Sequence, residues 1–232
     1  MLTDVNFGAD SSQILVTGHD AVTGNDFLQV ACFASGTHIG TEFGEVAVED
    51  LREGDSVRTL LDGTAAPIIW IGHRRVDCEH HPRPEQVWPV RIRAGAFGPD
   101  QPFRDLFLSP DHAVYVDDVL IPVKYLINRT TIAQVPVDEV TYYHLELPDH
   151  DVMRAEGLLV ESYLDTGDRS NFADGGGAMR LFPDFGTRSL DPATVWEAKG
   201  RAPLVVRGPE LEAARHLVSA LAASEVGMMA VA

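Results

Sequence analysis

From about residue 27 to residue 165 the chain consists of β-branched and aromatic runs too short for helices and separated by turn pairs, which constrains it to an all-β domain. Four hairpins can be read directly. "THIGT" and "EVAVED" flank Phe43-Gly44, and "VRTLL" and "APIIWIG" flank Asp62-Gly63. "AVYV" and "VLIPV" flank Asp117-Asp118, and "DVMRA" and "LLVES" flank Glu156-Gly157. The pairs that contain glycine carry the stronger signal, because a two-residue turn demands positive φ. Thr141, Tyr143, Leu145 and Leu147 alternate with Tyr142, His144 and Glu146, as in a strand with one face buried. Helix is confined to short turns at Val48–Leu51 and Val123–Ile127.

The character changes after Leu164. "DTGDRSNFADGGGAM" reads as a linker, with three consecutive glycines. Asp191-Pro192 then supplies an N-cap and a proline for the first helical position. A second helix is expected from Pro209, with Leu211, Ala214, Leu217, Val218 and Leu221 on one face. The expected organisation is a flanking segment at 1–31, a β domain at 32–165, and a linker with an acidic helical tail at 166–232.

Bulk properties exclude several classes. A chain of 232 residues buries a substantial core, and 45% hydrophobic with 23% charged residues is a globular balance. Its formal net charge of -17 argues against nucleic acid, which requires concentrated positive surface. Arg74, Arg75, Arg91 and Arg93 make only a small basic patch. The N-terminus has neither a basic n-region nor an uninterrupted apolar h-region, and no stretch reaches the roughly 18 apolar residues of a membrane span. The reading is a soluble protein, cytoplasmic or exported without a recognisable cleaved signal.

Signatures of metalloproteases, P-loops, nucleophile elbows, calcium loops and dinucleotide sites are all missing, and no cofactor is expected. The two cysteines, Cys32 and Cys78, are separated by 45 intervening residues and form no CxxC pair. "CEHH" at 78–81 offers zinc-compatible atoms, but successive side chains on an extended segment point to opposite faces, so no metal site is expected. Remaining candidates are Cys32, the pair Ser109 and His112 in "LSPDHAVYV", and Asp149, His150 and Asp151 in "LPDHDVM". Taken singly, Cys32 reads as a small buried hydrophobe, His112 as a turn residue, and His150 as a polar residue at a strand end.

In combination these segments resemble the Hint (Hedgehog/intein) family. "CFASGTHIGTEFGEVAVEDLREGDSV" resembles its opening block, in which a cysteine begins the domain. "LSPDHAVYV" resembles the second block, a Thr or Ser followed three positions later by His. "YYHLELPDHDVMRAEGLLVES" resembles the closing block. The three blocks run in the family's order over residues 32–164, and "WIGHRR" and "PVRIRAGAFG" are similar to the bacterial Hint_2 subgroup.

The resemblance implies a horseshoe-shaped β fold and self-cleavage in cis. Cys32 would attack the carbonyl of Ala31, turning the peptide bond into a thioester. His112 would protonate the departing Cys32 nitrogen, and Ser109 would steady the scissile carbonyl or the imidazole. A splicing relative ends in His-Asn, whereas Glu161 and Ser162 stand at the matching positions and cannot form a succinimide. The implied outcome is cleavage without splicing. The partner would be the N-terminal flanking polypeptide, extein-like or a leader, and the acyl acceptor water, a thiol or an amine. Asp149, His150 or Asp151 would activate that acceptor. Two alternatives remain open at this point: a decayed Hint scaffold that only binds, and a cysteine hydrolase acting in trans with Cys32, His112 and an aspartate.

Overall fold

The computed structural model describes residues 31–165, 169, 172–173 and 192–229, with backbone alone at 18–19, 26–27, 192–194 and 225–229. Most of the expected flanking segment at 1–31, most of the linker, and Asp191 therefore lie outside the described residues. In chain order the strands are β1 (Gly18–His19), β2 (Asp26–Phe27), β3 (Phe33–Ala34), β4 (His38–Thr41), β5 (Gly44–Ala47), β6 (Ser56–Arg58), β7 (Ala65–Pro67) and β8 (Trp70–Asp77). They continue as β9 (Val90–Ile92), β10 (Leu106–Leu108), β11 (Ala113–Val116), β12 (Val119–Pro122), β13 (Ile132–Gln134), β14 (Glu139–Glu146), β15 (Val152–Ala155) and β16 (Leu158–Glu161). Helices α1 (Pro192–Lys199) and α2 (Pro209–Met229) follow.

Turn chemistry sets most of these pairings. Asp117 and Asp118 both adopt positive φ, 48° and 65°, and close β11 onto β12 with Val116 opposite Val119. Such a two-residue turn matches the twist of its strands, and aspartate tolerates the left-handed region better than most residues. Glu156 and Gly157, at φ 50° and 85°, close β15 onto β16 in the same way. The buried Glu156 carboxylate there accepts the His38 amide N–H at 2.8 Å and is gripped by Arg104 at 2.8 Å, tying the hairpin to β4.

Two expected hairpins differ in detail. Thr41 pairs with Gly44, so the first turn is Glu42-Phe43, one residue earlier than expected. "APIIWIG" is not one strand: β7 ends at Pro67, and after Ile68 and Ile69 the chain enters the other sheet as β8. The buried Ile68 fits either sheet, so hydrophobicity alone does not mark the crossing.

The six-stranded sheet runs β13-β9-β10-β3-β14-β8, and the eight-stranded sheet β12-β11-β16-β15-β4-β6-β7 with β5 on β4. All of these neighbouring strands are antiparallel. The main core lies where the sheets meet: Phe33, Val90, Leu106, Leu108 and Leu145 of one sheet pack with Ile39, Val114, Ile121, Met153 and Val160 of the other. The six-stranded sheet carries a second apolar cluster made of Cys32, Ala34, Trp70, Val76, Cys78, Val87, Tyr142, Tyr163 and Phe172. Because side chains alternate along a strand, Phe33 enters the first cluster while Cys32 and Ala34 enter the second. Both faces of β14 are covered at its C-terminal end, so the residues read as its solvent face are buried instead.

The helical tail packs into the domain. Leu211, Ala214 and Val218 of α2 join the main core, while Leu217, expected on the same face, is 39% exposed. Trp196 of α1 and Ala202 form a third cluster with Ala113, Leu120 and Val152. Leu204 bridges Leu120, whose amide N–H reaches the Pro203 carbonyl at 2.8 Å. Trp196→Ala should lower stability in urea by about 3–5 kcal/mol, as deletion of a buried indole does. A cost below about 1 kcal/mol would show that α1 does not hold the eight-stranded sheet.

Candidate active site

Cys32 lies one residue before β3, between β10 and β14. Ser109, just past β10, binds both backbone polar groups of Cys32. The Cys32 N–H donates to Ser109 Oγ at 2.8 Å, and the Cys32 carbonyl accepts the Ser109 N–H at 2.9 Å. Among the described residues the serine hydroxyl thus accepts from the nitrogen of the Ala31–Cys32 bond.

From Ser109 the chain turns through Pro110, whose fixed φ favours a tight reversal. The His112 N–H returns to the Ser109 carbonyl at 3.1 Å, and the Val123 and Lys124 amides hold the turn from outside. The His112 ring is 1% exposed and stands edge-on to Phe33, with centroids 4.5 Å apart. Neither ring nitrogen makes a well-formed hydrogen bond with a described residue. Burial lowers the His112 pKa below the usual histidine range, while the Glu161 carboxylate and contacts with the Cys32 and Glu161 backbone act in the opposite direction.

A second imidazole, not singled out from the sequence, faces the thiol. His144 Nε2 is 3.3 Å from Cys32 Sγ. The ring is 1% exposed and is packed by Tyr163 at 4.7 Å and Phe172 at 4.6 Å. Burial first, and the nearby His112 second, push its pKa well down, so it is a neutral base. Arg74, on the same face of β8, is 3% exposed; burial weakens its charge, and the neighbouring Cys32 favours it. A buried guanidinium near a thiol favours thiolate.

The cover over this face comes from residues past the last strand. Trp70 packs on Tyr163 and Phe172, and Arg169 pairs with Glu146 while stacking over the Trp70 ring at 5.1 Å. The Ala173 N–H reaches the His73 carbonyl at 3.0 Å. Gly72 makes room for this arrangement, since a Cβ there would lie 2.3 Å from Trp70 and 3.0 Å from Phe172. Arg169, Phe172 and Ala173, read as linker, thus supply part of the roof.

The remaining candidates lie elsewhere. Asp149 is exposed and makes no hydrogen bond or ion pair with a described residue. Asp151 is buried and accepts the Leu61 N–H at 2.9 Å and the Val152 N–H at 2.6 Å. His150 is buried too: its Nδ1 accepts the Arg201 N–H at 3.3 Å and its ring packs edge-on to Trp196 at 5.0 Å. In "CEHH", Cys78 points inward at 0% exposure while Glu79 and His80 are exposed, and no group of three metal-ligating side chains occurs among the described residues. Neither cysteine is in a disulfide.

The model of the Hint domain matches residues 31–167, more than half of the chain and a span that begins at the residue preceding Cys32. The chain belongs to the Hint domain family. Self-processing, by protein splicing or cleavage, is the class of activity that this domain supports. This Hint domain is similar to the bacterial intein-like domain from Clostridium thermocellum, with 16% identity over 56% of this chain and 98% of that one and a TM-score of 0.42. Similarity to a DnaB intein from Synechocystis sp. PCC 6803 is 12% identity over 57% of this chain and 98% of that one, at a TM-score of 0.41. No curated protein matches the chain.

In this Hint domain the cysteine, one imidazole at its sulfur and a serine at its nitrogen are enclosed together, and the thiol is 1% exposed. Cys78 offers no competing reactivity, since burial pushes its thiol up to about 11. Alkylation by iodoacetamide followed by peptide mapping should find both cysteines slow. Phe172→Ala should accelerate labelling at Cys32 alone, and equal rates in parent and variant would show that Phe172 does not cover the thiol.

Proposed function

We propose that this Hint domain cleaves its own chain at Ala31–Cys32 and releases the upstream segment without splicing. The observation that carries the reading is the placement of His144 Nε2 at 3.3 Å from the sulfur while Ser109 Oγ holds the scissile N–H at 2.8 Å. His144, neutral because it is buried, takes the thiol proton, and the sulfur adds to the Ala31 carbonyl carbon. The C–N bond then breaks, and the Cys32 nitrogen leaves as an amine with a proton from His112. Ala31 is left as a thioester on Cys32 Sγ. Water, a thiol or an amine next adds to the thioester carbonyl and loses a proton, and the Cys32 thiolate departs and is reprotonated. The products are a peptide ending at residue 31 and a domain with Cys32 as its new N-terminus.

Glu161 and Ser162 support cleavage over splicing, because neither side chain carries an amide that could cyclise. The burial of Cys32, His112 and His144 supports action in cis, since a second polypeptide has no open path to the thiol. Asp149, exposed as it is, is a poor candidate for activating the acceptor at this thiol.

Intact mass measured with and without a small thiol such as DTT tests the proposal. The expected result is two fragments meeting at Ala31–Cys32, formed at a rate independent of protein concentration. Cys32→Ala should stop cutting. His112→Ala should slow it by the roughly 10²–10⁴-fold that general acid–base catalysis contributes, and His144→Ala by a comparable factor at neutral pH. Cleavage persisting in Cys32→Ala, or a chain that stays whole under all conditions, would overturn the reading.

A further inference from the structure

The residues that replace the splicing signature include an unusual buried carboxylate. Glu161 ends β16 and is 5% exposed. Val114 pairs with Val160, which places Glu161 opposite Ala113, beside His112. Its Oε1 accepts the Ala113 N–H at 2.7 Å. Its Oε2 is 3.7 Å from Nε2 of the buried His150. Because His150 Nδ1 accepts the Arg201 N–H, the ring proton is on Nε2 and faces the carboxylate. Trp196 fixes the same ring from the side.

A carboxylate out of water is costly unless charge or several donors compensate it, and one backbone N–H is not enough. Among the described residues no lysine or arginine pairs with Glu161; its neighbours are two imidazoles. His112, whose ring contacts the Cys32 and Glu161 backbone without a well-formed hydrogen bond to a described residue, is the group whose charge this carboxylate can set.

We propose that Glu161 is the counter-charge of the general acid, a positioning residue that favours the imidazolium of His112 beside the scissile nitrogen, with His150 orienting its second oxygen. The proposal rests on the cis-cleavage reading above. Its logic is that of a catalytic triad with the roles redistributed: a carboxylate stabilises the charged form of an imidazole that handles the reaction's proton. The position that would serve asparagine cyclisation in a splicing relative here serves the cysteine step.

Other groups face this pair. His144 on β14 opposes a positive His112 from the thiol side. Asp111, next to His112 in the turn, is buried and pushed up by that burial, and pairs with Lys124. Asp151 and Arg201 lie beyond His150 and pair with each other at 3.6 Å. Of these, the Glu161 carboxylate is the largest influence opposing the effect of burial on His112. Removing its charge therefore moves His112 titration to lower pH, and cleavage that needs the protonated acid fails at lower pH as well.

The test uses Glu161→Gln, which keeps an oxygen for the Ala113 N–H and removes the charge. In a full chain also carrying Cys32→Ala, NMR of labelled histidine reads the His112 titration whether or not the chain can cut. A downward shift of about one unit is expected, equivalent to a tenfold change in the protonated fraction. In the Cys32 chain the falling limb of the pH–cleavage profile should shift by the same amount, with about tenfold slower cutting above it. If the titration shifts while cysteine-bearing chains stay whole with either Glu161 or Gln at position 161, the cleavage reading fails and the Glu161 assignment stands. An unchanged or upward-moving His112 titration overturns the assignment. Should Glu161→Gln not fold, Glu161→Asp, whose charge is one methylene further away, decides the matter. A smaller downward shift supports the proposal, and none overturns it.

Discussion

The backbone nitrogen and carbonyl of Cys32 are both held by Ser109, hydroxyl to nitrogen and amide to carbonyl, and the rest of the site is arranged around that bracket. The backbone bond continues the pairing of β10 with β3 past its last strand residue and the hydroxyl adds a second hold, so the fold fixes where the sulfur begins its reach. Each such bond contributes only about 1 kcal/mol net, but a reacting bond gains more from being stationary than from being stabilised. Proline after the serine and histidine three positions later turn the same bracket into a mount for the acid. A short Ser-Pro-Asp-His segment thus holds the Cys32 backbone and, in the proposed cleavage, supplies the proton.

Two buried imidazoles stand in different surroundings, which in the proposed cleavage gives them opposite roles. Both are pushed toward neutrality by burial, but only His112 has a carboxylate facing it, whereas His144 has the thiol and aromatic rings. Environments that drive two titratable groups apart are what separates an acid from a base on one site. The guanidinium of Arg74 and the roof of Trp70, Tyr163 and Phe172 complete a low-dielectric chamber in which these charges act strongly.

Much of this was legible in the sequence, and the failures share a physical cause. Asp117-Asp118 and Glu156-Gly157 were readable because two-residue turns are local chemistry, and their φ values agree. Cys32, Ser109 and His112 stood out through spacing that the family shares. His144 did not, because period-2 alternation assigns a polar residue to solvent, and only the second apolar cluster makes that face an interior. Alternation reports which residues share a face, not what covers it. Phe172 was hidden in a glycine-rich stretch for the same reason, as its burial depends on Trp70 and Gly72 about a hundred positions earlier. The docking of Trp196 on the eight-stranded sheet, and with it the anchoring of His150, likewise required knowing which face lay uncovered.

The account stands on an acyl group passing from the Cys32 nitrogen to its sulfur, and hydroxylamine intercepts that state directly. Incubating the full chain with it and sequencing the released peptide by mass spectrometry should find a hydroxamate on the carboxyl carbon of Ala31, absent from Cys32→Ala. A hydroxamate at any other residue, or one that still forms when the sulfur is gone, would contradict the central claim.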